Sequence, residues 1–125
     1  MQRLLMGAIF ILAAAPVQAA SRFDCTIIMQ QQCIEREGDC MKVGKPDSLT
    51  IDIDGRKVDE CAADCVTYDS EFYKGVLGNI EFLGINKRKI RILGILTPVT
   101  GELVIVSPGP SIGSVEFGKC RPVDR

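Results

Sequence analysis

The chain has 125 residues, with 15 Lys and Arg against 16 Asp and Glu, and neither His nor Trp. A net charge of −1 leaves no concentrated basic surface, so nucleic acid is not an expected partner. The missing His removes Ser-His-Asp triads, Cys-His nucleophile pairs and His metal sites from consideration, and no cofactor motif of the P-loop or dinucleotide type is present.

Residues 1–19 read as a secretory signal peptide. Arg3 supplies the positive end, Leu4 to Val17 is an uncharged and largely apolar run of 14 residues, and Val17-Gln18-Ala19 sets small residues at the cleavage site. The run is shorter than the ~20 residues a bilayer span needs, so stable membrane insertion after cleavage is not expected. Cys25 follows Phe23-Asp24, which is no lipid-attachment context. Cleavage after Ala19 leaves 106 residues (125 less 19), a single domain in the periplasm or secreted, and costs only Arg3 among the charges.

The domain, residues 20–125, reads as all-β. Phe23 to Ile28 is apolar and β-branched enough for a first strand, and Glu35 to Asp39 is a polar turn. From Ser48 to Asp54 the alternation is clean: Leu49, Ile51 and Ile53 share one face, which marks a half-buried strand. Asp54-Gly55 then signals a hairpin with Arg56 to Asp59 returning. Asp59 to Phe72 shows no strong period and reads as the least regular part. Beyond Gly75 the expected strands are Val76-Leu77, Asn79 to Ile85, Lys89 to Leu96, Glu102 to Ser107 and Ser114 to Phe117. Gly84 and Gly94 fall inside them and suggest bulges or tight bends. This rhythm implies a small antiparallel meander closed as a barrel or a sandwich.

Six cysteines in an exported chain imply three disulfides, which a domain this small needs beyond its core. The short spacings suit local closures, Cys33–Cys40 and Cys61–Cys65, leaving Cys25–Cys120 to join the first strand to the last. The three-residue spacer between Cys61 and Cys65 is not the two-residue spacer of a thioredoxin-like motif. Asp52-Ile53-Asp54-Gly55 resembles part of a calcium loop, but Thr50 and Cys61 stand where that loop needs acids. No metal site is therefore expected.

Phe23-Asp24-Cys25 near the start and Gly118-Lys119-Cys120-Arg121 near the end form a frame. With Cys33 and Cys40 it resembles small exported proteins of Gram-negative bacteria. In layout it is also similar to the periplasmic C-type lysozyme inhibitor family, whose short antiparallel barrel carries a first-strand and a last-strand Cys. The resemblance implies a barrel and an inhibitor-like role. That family's active loop reads Ser-Gly-x-x-Tyr; Ser107-Pro108-Gly109 and Ser111-Ile112-Gly113-Ser114 lack the Tyr, so no inhibitory residue carries over.

Charge is uneven along the chain. Asp47 to Glu71 holds eight acids and two bases, whereas Lys87, Arg88, Lys89 and Arg91 cluster at a turn. The acidic stretch suits a cationic partner. Three roles follow: a binding module for another envelope protein, a small-ligand carrier using the barrel mouth, or a structural envelope protein. The first is favoured, with Tyr68, Phe72 and Tyr73 as candidate contact residues on a loop based at Cys61 and Cys65. No catalytic activity is expected, paired carboxyls in a cleft being the one arrangement that leaves no motif.

Overall fold

The computed structural model describes residues 20–34, 40–42, 47–108 and 112–123, so the expected signal segment (residues 1–19) and the expected turn at Glu35 to Asp39 lie outside the described residues. Among the described residues there are nine strands: β1 (Arg22–Ile34), β2 (Cys40–Lys42), β3 (Ser48–Asp52), β4 (Lys57–Cys61), β5 (Cys65–Lys74), β6 (Ile80–Ile85), β7 (Arg91–Thr97), β8 (Glu102–Ser107) and β9 (Ile112–Pro122). All pairings are antiparallel, and β9 returns to pair with β1 along eleven residue pairs. The result is a closed eight-stranded barrel, with β2 added beside the distal half of β1. Closure removes the free edges that an open meander would present.

Alternation decides which side chains fill the barrel. Phe23, Cys25 and Ile27 of β1, Leu49 and Ile51 of β3, Val58 of β4 and Tyr68 of β5 point inward. Phe82, Ile92, Leu96, Leu103 and Ile105 continue the core around β6, β7 and β8. Gly94 faces Phe82 across the β6–β7 pair, and a Cβ there would sit 2.0 Å from the ring. Gly84 likewise makes room for Ser70 and Ile92. Both glycines accommodate neighbouring side chains instead of marking bulges; the bulge lies in β1, between Ile27 and Met29.

Cysteine pairing follows the strand layout. Cys25–Cys120 crosses the β1–β9 seam and closes 95 residues of chain; Cys33–Cys40 clips β2 to β1; Cys61–Cys65 spans the β4–β5 turn. On chain entropy alone the long closure contributes about 4–5 kcal/mol and each short one about 2.

Several segments differ from expectation. Asp59 to Phe72 is regular: it supplies the end of β4 and most of the ten-residue β5. Ser70 occupies an inward position that an apolar residue would have flagged, and this broke the visible pattern. Val76-Leu77 is an exposed turn, because Gly78 takes a φ of +82° and reverses the chain. The first and last strands are longer than their apolar cores suggested, since each extends through polar residues that the other strand pairs.

Candidate functional site

The two ends of the interior differ. At one end Ala20, Ile53, Phe72 and Ile80 close the core, with the Phe72 and Phe82 rings 5.6 Å apart. At the other end the interior turns polar. Here β9 presents Glu116, β4 presents Glu60, and β5 presents Tyr68, with Asp47 at the entry to β3. The β1 bulge places one extra residue, Ile28, outside and so turns Gln30 inward, opposite Glu116. Gln30 Nε2 donates to Glu116 Oε1 at 3.2 Å.

Glu116 is only 6% exposed, and its Oε2 is buried without a hydrogen-bond partner. Burial pushes its carboxyl up to about 7, and the neighbouring Glu60 and Asp47 carboxyls add to the rise. Burial, then Asp47, also raises Glu60, while a hydrogen bond with Glu116 opposes the rise. The Tyr68 hydroxyl is raised chiefly by burial and then by Glu60, against a hydrogen bond with Asn86. The Glu60 and Glu116 carboxyls are neighbours at this polar end, each shifting the other. Among the described residues no group of three or more His, Cys, Asp or Glu is placed to hold a metal ion.

The outer wall also divides in two. Outward positions of β3 to β5 carry Asp52, Asp59, Asp69 and Glu71. Outward positions of β6 to β8 carry Leu83, Leu93, Ile95, Val104 and Val106, paired across strands as Leu83–Leu93–Val106 and Ile95–Val104. Leu83, Leu93 and Ile95 are each 44–46% exposed, and with Tyr73 they line a shallow groove. Tyr73 donates its hydroxyl to Glu71 Oε2 at 2.6 Å, fixing the ring beside Glu81 at the acidic border.

No family model matches the chain, and neither a curated protein nor a solved structure matches it. Of the three contact candidates, Tyr73 alone lies on the outer wall. Tyr68 is 7% exposed in the core, and Phe72 packs against Phe82 from the half-buried end. Their loop is the β5 strand, so alternation sends Tyr68 and Phe72 inward and Tyr73 outward. The basic cluster is split as well: Lys87, Arg88 and Lys89 occupy the β6–β7 turn, while Arg91 starts β7. Sequence reading missed the outer apolar face because Leu83, Leu93 and Ile95 sit in strands already credited with a core role. It missed Glu60 and Glu116 because they are 56 positions apart and meet only when the barrel closes.

Proposed function

We propose that this chain is an exported protein-binding module that docks a partner on the outer face of β6 to β8. One observation carries the reading: Leu83, Leu93, Ile95, Val104 and Val106 form a continuous outward apolar surface that a barrel with its own filled interior does not need. The border supplied by Glu71, Glu81 and the β3–β5 acids favours a partner whose apolar contact patch is ringed by basic residues. Tyr73, held by Glu71 at the junction, is the aromatic anchor. Export agrees with the signal-like N-terminus, the three disulfides, and the lack, among the described residues, of a helix long and apolar enough to cross a membrane. A carrier role is disfavoured because core side chains fill the middle of the barrel, Phe82 reaching over Gly94.

The test is affinity capture from envelope extract with the oxidised domain, wild type against Leu93→Glu, Tyr73→Ala and the acidic-side control Thr50→Ala. The reading expects a basic partner that is lost with Leu93→Glu, weakened with Tyr73→Ala and kept with Thr50→Ala. A partner that tolerates Leu93→Glu contradicts it. So does a face used only by a second copy, seen as a dimer in sedimentation that Leu93→Glu dissociates.

A further inference from the structure

We propose that Glu60 and Glu116 share one proton and lock the polar end of the barrel in acid, and that losing this proton as pH rises through neutrality loosens the distal β1–β9 seam. The device is independent of the docking face. Glu116 occupies an inward β9 position between Gly118 and Ser114, and its β8 neighbour is the buried Ile105. Its Oε1 already accepts from Gln30, while Oε2 is sealed from solvent and unpartnered. A buried acceptor left in this state costs about 1–3 kcal/mol, more if charged. A proton on Oε2 lowers the cost, because the resulting hydroxyl can donate to the neighbouring Glu60 carboxylate. Two adjacent carboxylates at a buried end cannot both ionise without strong repulsion, so one retains a proton.

Among the described residues, the surroundings offer no cationic partner. Gln30 faces the pair from β1, Ile105 from β8 and Tyr68 from β5; Asp47 lies at the entry to β3, and Asn86 follows β6. Among the described residues, every charged group that bears on Glu116 is an acid. On deprotonation the proton goes to solvent, and the buried Glu116 anion is left beside the half-buried Glu60 carboxylate. The Cys25–Cys120 disulfide holds the seam on the far side of the β1 bulge. Loosening is therefore confined to Met29–Cys33 of β1 and Gly113–Phe117 of β9, where, among the described residues, strand pairing and the Gln30–Glu116 hydrogen bond tie the seam and no disulfide does. The upward shift of Glu116 to about 7 places the transition near neutral pH.

Hydrogen exchange read by mass spectrometry tests this, with rates corrected for intrinsic pH dependence. Wild type, Glu116→Gln and Glu60→Gln are compared at roughly pH 5.5 and roughly pH 8.5. Wild type is expected to lose about tenfold or more of its protection in the distal β1 and β9 peptides at the higher pH, with the Phe23 to Ile27 peptide unchanged. Glu116→Gln is expected to be flat between the two conditions, whereas Glu60→Gln, in which Glu116 stays buried, is expected to keep a smaller fall than wild type. Flat wild-type protection overturns the proposal, and so does a full wild-type fall in either variant. If Glu116→Gln does not fold, Glu60→Gln and a carbon-13 titration of the wild-type Glu116 carboxyl decide. A midpoint in the ordinary carboxylate range contradicts the lock, and one near neutrality supports it.

Discussion

Strands β3 to β5 and strands β6 to β8 obey the same inward rule and differ in their outward one. Leu49, Ile51, Val58 and Tyr68 enter the core from the first set, as Phe82, Ile92, Leu96, Leu103 and Ile105 do from the second. Outward, the first set shows Asp52, Asp59, Asp69 and Glu71, and the second shows Leu83, Leu93, Ile95, Val104 and Val106. Closing a barrel constrains only the inner positions. The outer positions are less constrained by closure, and the proposed function assigns the contrast between the two walls to binding. It also separates two kinds of apolar residue that look alike in sequence: those the barrel requires and those it merely carries.

The largest effect expected on that division comes from breaking the shared interior. Reducing or deleting the Cys25–Cys120 bridge removes about 4–5 kcal/mol by chain entropy and opens both walls together in chemical denaturation. Phe82→Ala empties a core position that is 1% exposed and costs about 3–5 kcal/mol. Its neighbour Leu83→Ala, outward on the same strand, changes stability by no more than about 1 kcal/mol. Equal losses for the two would erase the distinction between required and carried side chains.

A smaller effect is expected from pH. The Glu116 carboxyl is raised in the folded state to about 7 from an ordinary 4.5. The folded protein therefore binds the proton more tightly, and this contribution is fully present below about 4.5 and lost as pH rises through about 7. Thermal melts should show the midpoint falling between those limits in wild type, with a flatter profile in Glu116→Gln. A midpoint that rises over the same interval would contradict the raised Glu116 carboxyl. The smallest stability effect belongs to the outer walls themselves: Tyr73→Ala and Asp59→Asn each change the melting free energy by roughly 0.5 kcal/mol or less. Thr67 Oγ1 donates to Asp59 Oδ1 at 2.6 Å, an exposed contact that Asn can still accept, so Asp59→Asn tests charge without emptying the site.

Much of the fold was legible where alternation ran through apolar residues, as in Ser48 to Asp54 and Glu102 to Ser107. The hairpin after Asp52 was legible too, although its geometry differs from the two-residue turn. Ile53 to Arg56 forms a wider turn in which Asp52 Oδ1 accepts from the Gly55 amide at 3.0 Å and Arg56 takes a φ of +53°. Strand β5 was obscured by Ser70 in a core position and by acids on its outer face. Barrel closure itself was not written locally, since it depends on β1 and β9 meeting across almost the whole chain. The Glu60–Glu116 pair is legible only after that closure. The outer apolar face was hidden for the opposite reason: an exposed Leu in a strand has the same letter as a buried one, and register alone tells them apart.

Photo-crosslinking tests the functional account most directly. A benzoyl-phenylalanine is placed at Leu93 on the apolar wall, or at Asp52 on the acidic wall, and intact cells expressing the full chain are irradiated. The account predicts a discrete crosslinked species from position 93, lost when Ile95→Glu is added, and none from position 52. A crosslink from position 52 with none from position 93 would contradict it, as would silence at both.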